Sequence, residues 1–290
     1  MSKPRVSALL AISIVACHQA PAGGPPRRVV TLTPSVTELV AEIAGLEALV
    51  GVDQFSTYPA AVTALPRVGD FLTTDQEAIL RLHPDLVVAD TTQRKAAEGL
   101  RQLGLRVIAL PMHTIADVES AARQLGAALG REREGEAVAS RIESAIDNAD
   151  ARHAALRVLI VMDRERGGLG NMIAAGPGSY LDEVVALLGA ENVLSASGVR
   201  YPPISVETIV RARPQVILDV SRVADAADPT ADWHSLAEVP AVAAGRVVVL
   251  SDAVFAGPGP RVDAALAELD AILTAVPPPA GSASAAASAP

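Results

Sequence analysis

Short, mainly apolar runs alternate with longer segments of helical period along most of the chain. The runs cover residues 28–32, 48–52, 86–89 and 107–110, and again 158–162, 216–220 and 247–250. In the first half, amphipathic stretches at 35–44, 74–82 and 92–103 separate them. Short runs that are apolar on both faces are typical of parallel strands covered by helices. The pattern therefore predicts an α/β protein with parallel sheets.

One segment of the chain is repeated. Residues 77–88 match residues 207–218 without a gap, and in both copies a glutamate, Glu77 or Glu207, stands seven positions before a proline. A looser similarity relates residues 35–51 to 179–194, where a predicted helix is followed by a short segment that leads back to the sheet. The repeat predicts two lobes of similar build.

Residues 115–153 lie between the two copies and contain few helix breakers. The segment is rich in Ala, Glu and Arg, and its glycines are Gly126, Gly130 and Gly135. This composition favours a long exposed helix that passes from one lobe to the other. We therefore expect an N-terminal lobe over 27–114, a connecting helical segment over 115–155 and a C-terminal lobe over 156–276.

The N-terminal residues have the features of an export signal. Lys3 and Arg5 precede an apolar run over 6–16, which is too short to span a membrane and ends at Cys17. The string Ile-Val-Ala-Cys resembles a bacterial lipobox, which predicts a signal peptide over 1–16 and acylation of Cys17. The alternative is an ordinary cleavage that leaves a free thiol. We expect an envelope lipoprotein that faces the periplasm or the exterior.

Two segments have compositions that cannot bury a core. Residues 17–26, rich in Ala, Gly and Pro, predict a tether behind the lipid, and the Pro, Ala and Ser of 277–290 predict a disordered tail. Because Cys17 is the one cysteine, no intramolecular disulfide is possible.

The overall composition excludes two classes of protein. Half of the residues are apolar and 20% are charged, which argues against a disordered chain. The net charge of -9, with no basic stripe, argues against nucleic-acid binding, which needs clustered Lys and Arg. We expect a folded, acidic monomer.

The usual signatures of catalysis are missing from the sequence. It contains no Gly-Lys-Ser/Thr phosphate loop, no His-Glu-x-x-His and no Gly-x-Ser-x-Gly. His83 and His113 lie far apart, and a helix-end or surface role fits them better than metal binding. We expect a protein that is not an enzyme and that has no resident metal or intrinsic cofactor.

Several strings together resemble a known family. They are residues 28–39, 50–53, 58–59, 65–69 and 83–88. In this combination they resemble the helical-backbone substrate-binding proteins of ABC importers. The similarity is greatest to the corrinoid (vitamin B12) receptors, with ferric-siderophore and haem receptors as cousins. The resemblance implies two Rossmann-like α/β lobes with parallel sheets, joined by a single long helix, with a ligand cleft between them.

The resemblance also gives the repeated glutamates a role. In that family a glutamate on each lobe docks onto arginines of the permease, and Glu77 and Glu207 match these positions. A structural role is the alternative. Glu77 would close a capping box with Thr74, and Glu207 would stand in the first helical turn after Ser205, where the helix dipole favours a carboxylate.

Aromatic residues are scarce, and most fall in predicted loops. Five of the seven follow or precede predicted strands: Phe55, Tyr58, Phe71, Tyr201 and Phe255. Loops at strand ends are where α/β sheets bind ligands, and aromatic faces suit a flat, largely apolar cargo. For Phe55 and Phe255, packing onto their own lobe is the alternative.

The resemblance assigns some of these aromatic residues individually. Tyr58 and Tyr201 match cleft aromatics of the corrinoid receptors, and Phe71 lies close to another. The tryptophan that those receptors carry after the third strand is replaced here by Asp90.

Charged groups near the predicted cleft have two interpretations. Arg164 and Arg166 follow the strand predicted at 158–162 and would pair with a carboxylate or phosphate of the ligand, or would be exposed loop charges. The helix that follows residues 176–179 would bind an anion at its N-terminus, unless these glycines only make the turn.

The resulting prediction is a lipid-anchored receptor that captures a corrinoid and delivers it to an ABC permease. The alternative cargo is a ferric siderophore or haem, with Tyr58 or Tyr201 as the iron ligand in the haem case. A third possibility is an enzyme of cobamide metabolism, or a surface adaptor, built on the same lobes.

Overall fold

The structure is a computed structural model, and it describes residues 24–154, 156–221, 228–251 and 253–275. Cys17, the predicted signal peptide, most of the tether and the predicted tail lie outside these residues.

The first lobe is built on a parallel sheet. Its strands are β1 (Val29–Thr31), β2 (Leu49–Gly51), β3 (Leu86–Asp90) and β4 (Val107–Leu110), in the order β2-β1-β3-β4. Its helices are α1 (Pro34–Ala44), α2 (Gln76–Arg81) and α3 (Arg94–Gln102), and 3₁₀ turns cover Leu46–Ala48, Ala60–Ala64 and Thr91–Gln93. The strands and helices predicted for this half of the chain are all present.

The second lobe is built on a mixed sheet. Its strands are β5 (Arg157–Asp163), β6 (Met172–Ala174), β7 (Glu191–Asn192), β8 (Pro203–Ile204), β9 (Val216–Asp219) and β10 (Val247–Val249). The order is β10-β9-β5-β6-β8, with β7 beside the start of β5. The three predicted strands pair in parallel, as expected. The unpredicted β6 runs antiparallel to both β5 and β8, so this sheet is not wholly parallel.

Four helices complete the second lobe in the described residues: α6 (Tyr180–Leu187), α7 (Val206–Ala212), α8 (Pro240–Ala243) and α9 (Val262–Thr274). Two 3₁₀ turns cover Ala231–Leu236 and Ala253–Phe255. The repeat seen in the sequence corresponds to α2-β3 in one lobe and α7-β9 in the other.

The connecting segment is not one helix but two, α4 (Ile115–Leu129) and α5 (Glu132–Asp147). Gly130 ends α4 in the left-handed conformation, at φ 65° and ψ 36°, which a glycine adopts at little cost. The two helices then pack closely against each other at Gly126 and Gly135, where a side chain would meet backbone atoms within 3.0 Å. The glycines that looked like minor interruptions therefore make a helical hairpin.

A single apolar cluster extends from one lobe to the other. Val29 of β1, Leu125 of α4, Ile142 of α5, Val158 of β5 and Leu269 of α9 all belong to it. The next residues along the strands, such as Val30 and Leu159, face separate outer clusters, as the alternation of side chains in a strand requires. Because the core is continuous, the lobes form one packed body rather than two domains on a flexible linker.

No helix in the described part of the chain combines the length and the hydropathy needed to cross a bilayer.

Candidate ligand-binding cleft

A cavity of about 370 Å³ lies between the two lobes. The first lobe lines it with Leu32, Thr33, Pro34, Ser35, Asp53, Phe55, Phe71, Asp90, Thr92, Met112 and His113. The second lobe lines it with Met162, Ser179, Tyr180, Leu181, Tyr201, Phe255, Ala256, Gly257 and Pro258. Most of these residues follow the carboxyl ends of strands, where open α/β sheets bind small molecules. The cleft thus lies at the loops beside the strand ends, where the sequence analysis predicts ligand binding.

Three of the predicted aromatic residues line this cleft and have exposed ring surface. Phe55 and Phe71 come from the first lobe and Tyr201 from the second. Phe71 is 49% exposed and Tyr201 39% exposed, so both have ring surface left for a ligand to cover. Burial raises the pKa of the Tyr201 phenol.

Phe255 is different, because it is 0% exposed and belongs to the apolar cluster that joins the lobes. It forms part of the cleft wall from within the core. Phe255 therefore acts mainly by packing, which is the alternative to ligand contact given for it above. The surface that it offers a ligand is small.

Tyr58 is not among the residues that line the cavity. Its ring stacks on the guanidinium of Arg261, whose Cζ lies 3.9 Å from the ring centroid. Arg261 also donates to both carboxylate oxygens of Glu38, over 2.8 Å and 2.9 Å. Because Tyr58 and Glu38 belong to the first lobe and Arg261 to the second, this cluster ties the lobes together.

A second polar contact joins the C-terminal lobe to the connecting hairpin. Glu183 of α6 accepts a hydrogen bond from the backbone N–H of Ile115, the first residue of α4, over 2.7 Å. Burial raises the pKa of the Glu183 carboxyl, and the charges of Asp117 and Asp182 add to this effect.

Arg164 does not line the cleft and is not an exposed loop charge, so neither interpretation of its position holds. Its side chain is fully buried and pairs with Asp219 over 2.8 Å and with Asp232 over 2.6 Å. It also donates to the carbonyl oxygens of Gly168 and Pro229. These contacts of the guanidinium all lie within the C-terminal lobe. Arg166 is exposed on the loop after β5, outside the cavity lining.

The acidic side chains that line the cleft are Asp53 and Asp90, and no Lys or Arg of the described residues lines it. Asp53 accepts hydrogen bonds from the Ser56 hydroxyl and from the backbone of Phe55. Burial raises its pKa above the ordinary value of 3.8. Asp90 caps the turn after β3 by accepting from Thr92 through Oδ1. Sequence reasoning noted Asp90 as a departure from the family and missed Asp53.

Among the residues that the structure describes, two side-chain hydroxyls have no hydrogen-bond partner, and their oxygen atoms are enclosed by protein. They belong to Thr33, which precedes α1, and Tyr180, which begins α6. Both residues line the cavity, one from each lobe. Neither was singled out from the sequence, which contains no signal for the absence of a partner.

The repeated glutamates lie at equivalent helical positions, the second residue of α2 and of α7. Glu77 is 83% exposed at its side chain and pairs with Arg81 over 2.6 Å. Its expected capping box with Thr74 is absent, because Asp75 is the capping residue. Ser205 does cap α7, and its hydroxyl is the main cause that lowers the pKa of Glu207.

His113 stands at a helix end, directly before Thr114, the N-cap of α4, and it also lines the cleft. His83 ends α2 with φ at 45°, as a helix-end residue. Among the residues that the structure describes, no group of three His, Cys, Asp or Glu side chains is placed to hold a metal ion.

Known proteins similar to this chain have the same two-lobe architecture. The sequence profile of the periplasmic binding protein family matches residues 29–254, which include both sheets and the cleft-lining residues up to Tyr201. The chain belongs to this family. Its membership confirms the resemblance found in the sequence.

Curated relatives from this family are vitamin B12-binding proteins. The one from Salmonella typhimurium is 30% identical over 247 residues, which are 83% of this chain and 88% of the relative. The one from Pectobacterium atrosepticum is 28% identical over 243 residues, or 82% of this chain and 85% of the relative.

Solved structures from the family share the two-lobe fold. The vitamin B12-binding protein BtuF of Vibrio cholerae matches with a TM-score of 0.74 and 25% identity, over 87% of this chain and 98% of that protein. The haem-binding protein RhuT of Roseiflexus sp. RS-1, in its apo form, matches with a TM-score of 0.78 and 27% identity, over 86% and 98%. This periplasmic binding protein is therefore of the substrate-binding class that serves ABC importers.

Proposed function

We propose that this protein captures a corrinoid in the cleft between its lobes and delivers it to an ABC permease. The observation that carries the proposal is the chemistry of the cleft wall. Aromatic and thioether side chains from both lobes surround carboxyl groups, with no cation of the described residues among them.

A corrinoid is a flat macrocycle with uncharged primary amides around its rim. Its faces suit the rings of Phe71 and Tyr201, and its amide N–H groups are donors that the carboxylate of Asp90 would accept. Haem carries two propionates, and a wall whose described residues include Asp53 and Asp90 but no Arg or Lys would repel them. The vitamin B12-binding relatives support the same cargo.

The test is a visible spectrum after desalting. A soluble form that begins at His18 would be mixed with cyanocobalamin, a ferric hydroxamate or haemin, and passed through a desalting column. We expect corrinoid absorbance to elute with the protein. Retention of only the iron compounds would contradict the cargo and leave the fold unaffected.

Haem or a ferric siderophore is the second candidate cargo, and two observations favour it. Tyr201 and His113 line the cleft and are residue types that ligate iron. Arg94 and Lys95 line an adjoining groove of about 500 Å³, which shares Phe71 with the cleft. In this case haemin would give a charge-transfer band that weakens in Tyr201→Phe or in His113→Ala.

Glu77 and Glu207 are proposed to dock onto cationic side chains of the permease. Both carboxylates are exposed, and each lies at the same position of the repeated helix-strand unit in its lobe. Helix capping does not require an acid at both positions, since Asp75 and Ser205 already provide the caps.

The docking experiment compares two double variants. Glu77→Ala with Glu207→Ala should leave cargo affinity unchanged and abolish the stimulation of transport in vesicles that hold the permease. Glu98→Ala with Glu238→Ala removes one exposed acid from each lobe at other positions, and serves as the matched control. Normal transport by the first variant would contradict the assignment.

Cys17 is proposed to carry the lipid that holds the protein at the membrane. It lies outside the described residues, so the sequence string 14–17 is the support. Cys17→Ser should move the protein from the membrane fraction to the soluble fraction after export. Continued retention by the membrane would contradict lipidation.

A further inference from the structure

A groove of about 500 Å³ adjoins the cleft on the surface of the first lobe. It lies between the start of α2 and the start of α3, where the Gln76 side chain packs over Gly99, with Nε2 only 2.6 Å from the position of a Cβ there. Phe71 and Thr92 line both the groove and the cleft. A ligand held in the cleft can therefore extend an arm past these two residues into the groove.

The cleft alone is small for the proposed cargo. Its volume of about 370 Å³ is near the lower end of the range for small-molecule sites, about 300 to 1,000 Å³. A complete corrinoid is larger than the drug-sized ligands that fill such pockets, because a nucleotide tail is joined to its macrocycle through a phosphodiester. Part of the cargo must then lie outside the cleft.

The groove and the cleft have opposite charge. The cleft is lined by Asp53 and Asp90 and by no cation of the described residues, whereas the groove is lined by Arg94 and Lys95 and by no acid of the described residues. An anionic group is repelled by the cleft wall and attracted to the groove. Guanidinium and ammonium groups are the side chains that pair with phosphate.

The fold itself makes no use of these two cations. Arg94 and Lys95 are exposed, and within the described part of the chain neither side chain has an ion pair or a hydrogen bond. Even Glu98, one turn further along the same helix, is not paired with either. Both cations stand in the first turn of α3, which contains no acid, and the helix dipole disfavours positive charge at that end. Local electrostatics therefore does not account for the two charges.

We propose that Arg94 and Lys95 form a subsite for the phosphodiester of a corrinoid's nucleotide tail, while the macrocycle lies in the cleft. The Arg94 guanidinium would donate to two phosphate oxygens, and the Lys95 ammonium would add a second positive charge. The inference rests on the proposed function and adds to it a second part of the cargo that is recognised.

The test uses two corrinoids and the full-length protein in detergent. Cyanocobalamin has the phosphodiester, and dicyanocobinamide has the same macrocycle without the nucleotide tail. Arg94→Gln with Lys95→Gln removes both cations of the groove. The control, Arg106→Gln with Arg133→Gln, removes two exposed cations outside the groove and the cleft. Affinities are measured by calorimetry at low and at high salt, and stability without cargo by urea unfolding.

The groove variant should distinguish the two corrinoids. It should bind cyanocobalamin about tenfold more weakly than the wild type, the range of one hydrogen bond to a charged group, and bind dicyanocobinamide equally well. High salt should weaken cyanocobalamin binding by the wild type more than by the groove variant, because salt screens exposed charges. Without cargo the groove variant should be as stable as the wild type or slightly more stable. The control should keep the affinity of the wild type for both corrinoids.

Different failures contradict different statements. Wild-type affinity of the groove variant for cyanocobalamin would overturn the subsite. An equal loss of affinity for both corrinoids would also overturn it, since the two cations would then act on the macrocycle or on the fold. A wild-type protein that binds neither corrinoid would contradict the proposed function, and with it the subsite that rests on it.

Discussion

Equivalent strands of the two lobes end in aspartates that have different surroundings. Asp90 is the last residue of β3 and lines the cleft between the lobes. Asp219 is the last residue of β9 and is fully buried. It accepts from the Arg164 guanidinium over 2.8 Å and from the Trp233 indole over 3.0 Å.

The two aspartates face opposite sides of their sheets, because the repeat aligns Asp219 with Ala89 rather than with Asp90. The C-terminal lobe contributes an arginine and a tryptophan from distant segments, which fix Asp219 inside the lobe. In the N-terminal lobe, the Asp90 carboxylate accepts hydrogen bonds from Thr92 and from the backbone N–H of Gln93, within the turn that it caps. The same residue type at a strand end therefore stabilises one lobe and remains accessible to a ligand in the other.

The largest effect should come from Arg164→Met. The change leaves the fully buried Asp219 without its charge partner, and breaking a buried ion pair costs about 3 to 5 kcal/mol. Urea unfolding should show this loss in the free energy of unfolding. Arg166→Met, on the same loop but exposed, should stay within about 0.5 kcal/mol of the wild type. Equal stability of the two variants would contradict the structural role of Arg164.

The next effect separates two phenylalanines of the same cleft. Phe71→Ala removes a half-exposed ring and should weaken corrinoid binding about tenfold, since about 1 to 2 kcal/mol of apolar contact is lost on binding. Phe255→Ala removes a ring from the shared core and should instead lower the stability by about 3 to 5 kcal/mol. Both variants would be measured by calorimetry and by urea unfolding. A loss of stability for Phe71→Ala together with a loss of affinity alone for Phe255→Ala would contradict the assignment.

Much of this architecture could be predicted from the sequence, because local pattern determines it. The strands at β1 to β5, β9 and β10 are short apolar runs, and the loops that carry Phe55, Phe71 and Tyr201 follow or precede strands. The helical hairpin could have been found from Gly126, Gly130 and Gly135, whose spacing permits a tight turn and a close approach of two helices. The Ala, Glu and Arg content of the segment favours one long helix, and this outweighed the turn that the glycines indicate.

Other features depend on contacts that the sequence does not encode locally. Arg164 and Asp219 are 55 positions apart, so a loop arginine after a strand looked available to a ligand. The strands β6 and β8 have only three and two residues, which are too few to show a period. The unpartnered hydroxyls of Thr33 and Tyr180 are defined by what does not contact them in the fold.

A smaller effect should follow from neutralising the two aspartates of the comparison. Asp90→Asn keeps a residue that caps helices well and removes the charge, so corrinoid affinity should fall about fivefold with little change in stability. Asp219→Asn should do the reverse, with lower stability and unchanged affinity of the folded protein. Titration calorimetry with cyanocobalamin distinguishes the two. A drop in affinity for Asp219→Asn alone would invert the comparison between the lobes.

The smallest effect concerns the other cleft carboxyl, Asp53, whose pKa is raised by burial in spite of the Ser56 hydrogen bond and the charge of Arg67. Because the folded state holds this proton more tightly than the unfolded state, the stability it contributes is present at low pH. That contribution is lost as the pH rises from 3.8 through the raised value. In urea unfolding between about pH 4 and 7, the wild type should therefore lose stability relative to Asp53→Asn. Asp163→Asn, at the exposed end of β5, is the control, and parallel curves for the wild type and Asp53→Asn would show that Asp53 ionises freely.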